Sequence, residues 1–458
     1  MTTTTHQVEA AVERVAAALA DPRALAVQGP GRRTAPPVSL EGSAGAALFL
    51  AELARRDPGR LPLAHRHLAL AAQALAATGS AGLSYGPAAV LAAAQAAAWP
   101  GGHYPRLRHN LTAHVAGEQV RRLAAEPAGP GVDWSSYDVV SGGAGIGGLL
   151  LGAVADGDAQ ERAAAEPAPR GTLERLVALS RPVAVDGRLL PGWWVPRHRQ
   201  PTEADRAHFP RGDVNLGLAH GIAGPLALLA LAAEAGVMVE GQLDAVHRIG
   251  DWLAERADHD AFGPYWEPRL PFDDELTRAG GERTAPSGFA AAASGGAWCY
   301  GAAGIAGPLL RAARLTGEDG WRALALDGAR ALLTRPGTHE HLKGPTVCHG
   351  QAGLLQCLWR LGRLADDPEL LGHAATLAEQ LAGAYRPDAA FGYRHLAPAT
   401  RARGGHRPHP LAGEDGAGVL EGAAGVAAAL LSTLPASGGG GGVPGAGEPY
   451  WDRVLLLS

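Results

Sequence analysis

Three cysteines in 458 residues are too few for a disulfide framework. Their scarcity points to a reducing compartment and makes the place of each one informative. Neither sign of charge is in large excess. The formal net charge is -5 and the pI about 6.4, which argues against a general binder of nucleic acid or of anionic membranes. The opening Met-Thr-Thr-Thr-Thr-His has neither the basic nor the apolar region of a signal peptide. Long apolar runs are missing too, since the Ala-rich stretches 67–77 and 88–98 are broken by polar residues and glycine, so no transmembrane span is expected. These absences predict a soluble, cytoplasmic protein.

What the chain has in plenty is glycine, 64 residues, together with alanine. Apolar residues make up 47% and charged residues 19%, enough for a sizeable core. The glycines are ordered. Gly-x-x-Gly followed by an aliphatic run occurs at Gly42–Gly45, Gly142–Gly145, Gly221–Gly224, Gly301–Gly304, Gly350–Gly353 and Gly422–Gly425. A degraded copy, Tyr85-Gly86-Pro87-Ala88-Ala89, follows the first. Repeats of about 40–50 residues with helical periodicity imply one helix pair per unit.

Amphipathic segments at Gln7–Leu19, Leu61–Thr78, Arg106–Ala125, Gly241–Arg256, Gly320–Thr334 and Asp367–Tyr385 read as the outer member of each pair. The more uniformly apolar glycine-marked segments read as the inner member. The expectation is an all-α fold in one 1–458 domain: a closed α/α toroid of about seven inner and seven outer helices. In it the glycine-marked helix starts converge on one mouth, where small residues let backbones approach closely. Residues 155–210 break the pattern and predict a small irregular or β-containing excursion. Residues 281–297 predict a mobile loop, and Gly438–Gly442 with Pro444 a low-complexity linker before Tyr450–Leu457.

Two of the three cysteines stand at equivalent points of adjacent repeats, in Trp298-Cys299-Tyr300-Gly301 and Cys348-His349-Gly350. With His349 they make an S, S, N donor set of the kind Zn²⁺ prefers, with a fourth position left open. Small buried packing residues are the alternative, and packing is the expected role of Cys357. His220 holds the same repeat position one unit earlier, in Leu218-Ala219-His220-Gly221. It therefore faces the same mouth, as a fourth ligand or as a general acid/base. Asp138, four residues before Gly142, either orients His220, manages a proton, or caps a helix.

The ordered combination of Tyr137-Asp138, Ser141-Gly142-Gly143-Ala144-Gly145, Leu218-Ala219-His220-Gly221-Ile222-Ala223-Gly224, Trp298-Cys299-Tyr300-Gly301 and Cys348-His349-Gly350-Gln351-Ala352-Gly353 resembles the lanthipeptide cyclase (LanC-like) family, over essentially the whole chain. The resemblance implies an α/α toroid with one catalytic Zn²⁺ held by Cys299, Cys348 and His349. It implies His220 and Asp138 as acid/base residues, with Trp298 and Tyr300 near the substrate. The implied reaction is Michael addition of peptide Cys thiols to dehydroalanine or dehydrobutyrine in a dehydrated precursor peptide. A separate dehydratase and a membrane exporter complex, to which the protein would be peripheral, are the implied partners. One departure stands out, because family members commonly carry an Arg where this chain has Gly295.

Rival readings rest on less. Phe272-Asp273-Asp274-Glu275 mimics an acidic diphosphate-binding motif of terpene chemistry, but six Phe and eight Tyr are a thin aromatic supply for a cationic cyclisation cavity. A glycosidase needs two carboxylates across a cleft, and the repeat mouths offer chiefly Asp138 and Glu421. A relative that binds thiols or peptides without closing rings, or that adds an external thiol, is the nearer alternative.

Overall fold

The structure, a computed structural model, describes residues 3–29, 31–77, 82–98, 101–126, 129–279, 296–336, 338, 342, 344–398, 411–435 and 449–457. Seven helices begin at the glycine motifs: Ser43–Arg56, Pro87–Ala98, Gly143–Asp156, Ala223–Glu234, Ala302–Thr316, Gln351–Ala365 and Ala423–Thr433. Each packs on the next, and the seventh packs back on the first, closing a ring. Seven outer helices alternate with them along the chain: Thr3–Ala18, Leu61–Ala74, Pro105–Ala124, Pro167–Leu179, Gln242–Glu255, Asp319–Thr334 and Pro368–Gly383. The expected seven-over-seven toroid is the fold.

Hydrophobic patterning explains the layering. Every residue of Pro87–Ala98 is buried, as befits a helix apolar all round. In Gln242–Glu255 the buried Ala245, Val246, Ile249, Trp252 and Leu253 recur at helical spacing on one stripe. Burying each large aliphatic side chain contributes about 1.5–3 kcal/mol, so the stripe fixes which way the outer helix faces.

The glycine repeat has a steric cause. The chain entering each inner helix folds over its first turn, so a Cβ on the second glycine of the motif would meet a backbone carbonyl. At Gly353 it would lie 2.0 Å from the Val347 carbonyl oxygen, and at Gly145 1.8 Å from that of Val139. The entering turns are also laced to one another. Backbone N–H groups of Leu40, Leu83, Val139, Leu218, Val347 and Val419 donate to the carbonyls of Ser84, Val140, Ala219, Cys299, Leu420 and Leu40. Six of the seven turns thus donate to a neighbour around the mouth. One joint lacks this bond among the described residues: the joint between the turns of Cys299 and Cys348.

The 155–210 stretch divides differently from its sequence pattern. It contains the fourth outer helix, Pro167–Leu179, whose Pro167, Pro169 and Gly171 in the first turns obscure a helical pattern. The β-containing part follows, as hairpin Val183–Val185 with Arg188–Leu190, turned by Asp186-Gly187 at positive φ. Strand Asp213–Asn215 then pairs antiparallel with Arg269–Pro271, and Phe272–Ala279 is helical. Because Asp213–Asn215 runs straight into the turn of His220, this excursion sits at the glycine mouth.

The opposite end is closed by the C-terminal segment, helical over Trp451–Leu455. Glu52 accepts the backbone N–H of Tyr450 and Trp451 (2.9 and 3.2 Å), Ser432 accepts the Trp451 indole N–H (3.0 Å), and buried Asp452 accepts from Gln356 (2.6 Å) and Arg360 (2.7 Å). These partners lie on the first, seventh and sixth inner helices, so the segment plugs the ring's axis. Of the expected loop at 281–297, residues 281–295, Gly295 among them, lie outside the described residues, as does the linker at Gly438–Gly442.

Candidate functional site

The turns preceding the inner helices place three kinds of residue in register. An apolar residue points down into the ring (Leu83, Val139, Leu218, Trp298, Val347, Val419), and the residue two positions later, just before the first glycine, stands at the mouth (Tyr85, Ser141, His220, Tyr300, His349, Glu421). Between them lie Cys299 and Cys348. The ring geometry thus brings the sulfurs of adjacent turns together. Cys299 Sγ lies 3.2 Å from His349 Nδ1, and the donor atoms of Cys299, Cys348 and His349 are all within 4.8 Å of one another.

The donor set fits a soft divalent cation. The neighbouring Cys299 sulfur, and then burial, push the Cys348 thiol well above its ordinary value. Two thiolates crowded beside an imidazole cannot both hold charge without a cation between them, and a divalent ion removes that repulsion. The joint that holds them is also the one without a backbone hydrogen bond between turns, so these side chains are what spans it. Cys357 is buried in the sixth inner helix, and burial pushes its thiol up as well, which fits packing.

On the turn next to Cys299, His220 Nδ1 is 2.5 Å from Asp138 Oδ2. The two turns are tied by the N–H groups of Leu218 and Ala219, both donating to the Cys299 carbonyl (3.1 and 3.3 Å). Asp138 is fully buried, and His220 remains about a quarter exposed. Asp138 also accepts the Ser141 backbone N–H at 2.7 Å and its hydroxyl at 3.0 Å. The carboxylate therefore both closes its own turn and holds the His220 ring at Nδ1, leaving Nε2 as the ring's other nitrogen. Tyr137 donates its hydroxyl to the His220 carbonyl (3.2 Å).

Trp298 and Tyr300 part company. Trp298 takes the apolar register position, its Cβ against Gly353 and its indole N–H on the Leu455 carbonyl of the plug (3.3 Å). Tyr300 stands at the mouth, where its hydroxyl accepts from Asn215 (3.2 Å) and burial pushes its pKa up. Beyond His349, Arg33 pairs with Glu421. Burial would raise that carboxyl, but the guanidinium holds it below the usual range. The diphosphate-like motif lies elsewhere: Glu275 is buried against Arg256 and Trp252, and Asp273 is exposed beside Arg211.

Sequence reasoning missed Trp134 and Arg269. The Trp134 ring stacks on His220 at 4.6 Å between centroids and 19° between planes, and the Arg269 guanidinium lies 5.0 Å from the Trp134 ring centre. The available signal was local. Trp134 is four residues before Asp138, so the helical turn Trp134–Tyr137 carries both to neighbouring positions.

The seven-over-seven toroid agrees with the comparisons with known proteins. The family model described as lanthionine synthetase C-like protein matches residues 37–437, and the chain belongs to that family. Among solved structures it is similar to nisin cyclase, with a TM-score of 0.70 at 21% identity, covering 93% of this chain and 94% of the other. No curated protein matches the sequence. Among the described residues no helix is long and apolar enough to cross a membrane.

Proposed function

We propose that this protein closes thioether rings, adding peptide Cys thiols to dehydroalanine or dehydrobutyrine within a dehydrated precursor peptide. Cys299, Cys348 and His349 would hold one Zn²⁺ per chain. The observation that carries the reading is the meeting, on hydrogen-bonded neighbouring turns, of that donor set with a buried-carboxylate histidine. A bound zinc ion supplies the charge that keeps a substrate thiol deprotonated at neutral pH, where a free thiol with pKa ~8.5 is mostly protonated. As sulfur bonds to the β-carbon, the π electrons pass to the α-carbon and its carbonyl, and the α-carbon then needs a proton. His220, held at Nδ1 by Asp138, would give it from Nε2. The thiol proton is released to solvent, so atoms and charge balance. Nisin cyclase, a cyclase by name, supports this reading through its shared fold. A separate dehydratase is the expected source of the substrate, with an exporter complex as a further partner.

The test uses zinc-loaded protein and a dehydrated peptide. Ring closure does not change mass, so free thiols are trapped with an alkylating reagent and counted. Loss of thiols with wild type, and not with Cys299→Ala or Cys348→Ala that keep their helicity but lose zinc, supports the reading. A folded, zinc-free wild type with full turnover refutes it. A mass gain equal to an added external thiol replaces ring closure with intermolecular addition.

A further inference from the structure

We infer that Trp134 is a positioning residue for His220, setting the plane of the imidazole so that Nε2 delivers its proton to one face of the substrate's α-carbon. The inference rests on the proposed function, in which His220 is the proton donor. A single hydrogen bond from Nδ1 to Asp138 fixes one atom of the ring. Coupled rotations about Cα–Cβ and the broad Cβ–Cγ torsion still tilt the ring around that bond and carry Nε2 through an arc. A flat partner stacked at 4.6 Å and 19° removes that freedom. Bond and stack together define the ring's position, and neither does so alone.

The indole is placed for its face and not for its N–H. A buried Trp usually finds a hydrogen-bond partner, yet Trp134 Nε1 is buried with none among the described residues. Its surroundings hold the ring. Arg269 lies over it at 5.0 Å and is anchored by Asp213 (2.6 Å), Asp205 (2.5 Å) and Gln200 (2.6 Å). Those anchors all come from one stretch, 200–213, and the Asp213–Asn215 and Arg269–Pro271 strand pair brings Arg269 to them. The excursion thereby acts on the site through Arg269 and Trp134, with the charged groups Asp213 and Asp205 neutralising the guanidinium. The other groups facing His220 are Asp138 on its Nδ1 and the Tyr137 hydroxyl on its carbonyl.

The experiment runs in deuterated water with a peptide bearing one Cys and one dehydroalanine, reading kcat, KM and the α-carbon configuration of the product. Trp134→Leu should lower kcat about tenfold with little change in KM. It should also yield mixed configuration, because solvent then protonates either face. Trp134→Phe, which restores an aromatic face, should recover most of both. Trp134→Met fills the space without a ring and replaces the leucine variant if that fails to fold, judged by helicity and zinc content. Unchanged kcat and a single configuration in the folded ringless variant, while His220→Ala loses both, would overturn the inference alone. Unchanged kcat and configuration in His220→Ala would instead overturn the proton-donor reading, and this inference with it.

Discussion

Replacing Asp138 by asparagine tests the proposed acid/base pair with the least change in shape. The carboxylate is fully buried and has two tasks: one oxygen takes the Ser141 backbone N–H at 2.7 Å, the other meets His220 Nδ1 at 2.5 Å. Asparagine keeps the first, since its carbonyl still accepts from Ser141. The second fails, because the amide NH₂ then confronts Nδ1–H, donor against donor. The ring can no longer carry protons on both nitrogens while staying bonded. A hydrogen bond to a charged group contributes about 1.5–3 kcal/mol, which at about 1.4 kcal/mol per decade corresponds to a roughly ten- to hundredfold lower kcat. Zinc content and thermal stability should hold, because the turn and the donor set are untouched. The assay counts the alkylatable thiols that remain against time at saturating dehydrated peptide. An Asp138→Asn protein that keeps zinc and turns over at the wild-type rate would refute the reasoning, leaving Asp138 as a turn-closing residue.

Gly353→Ala should cost metal before it costs fold: its Cβ would press the Val347 carbonyl at 2.0 Å, displacing the adjacent Cys348, so zinc per chain falls while helicity persists. Full zinc retention would count against the turn geometry described above. Asp452→Ala removes the buried acceptor that Gln356 and the half-buried Arg360 now share. A loss of about 3–5 kcal/mol in unfolding free energy is expected, and a loss within about 0.5 kcal/mol in denaturant titration would show that the plug is dispensable. His67 is fully buried, with Nε2 2.6 Å from the Leu19 carbonyl and Nδ1 without a partner, and burial lowers its pKa. The folded chain therefore binds fewer protons at this site than the unfolded one. Its stability contribution is complete above the unfolded value of ~6.5 and erodes as pH falls below it. His67→Gln, which can still donate to Leu19, should flatten the Tm–pH curve between about pH 7 and pH 5; parallel curves would dismiss the assignment.

How much of this was legible in the sequence depended on whether a residue's reason was local to its repeat. The glycines were readable because six of the seven inner helices meet the same obstacle, a carbonyl folded over the first turn. Position relative to those glycines then predicts which way each neighbour faces, so Cys299, Cys348, His349 and His220 could be placed at one mouth without coordinates. The same register explains why Trp298 is set apart from its neighbours. It occupies the slot filled elsewhere by Leu83, Val139, Leu218, Val347 or Val419, and the ring's packing claims its side chain.

The repeat has no term for what crosses between segments. Arg269 reaches Trp134 only because Asp213–Asn215 pairs with a strand more than fifty residues later, and no periodicity links the two. The fourth outer helix was obscured for the opposite reason, since its first turns are written in Pro and Gly while its burial is decided by neighbours on either side. The open joint between the fifth and sixth turns follows from both. Six joints repeat one backbone bond, and the exception falls where two adjacent turns each carry a cysteine at the position between the apolar and mouth residues. A toroid whose turns were all laced alike would hold those cysteines at the spacing of its backbone. Leaving one joint to side chains lets the donor atoms set the spacing there, which is the freedom a metal centre at that place needs.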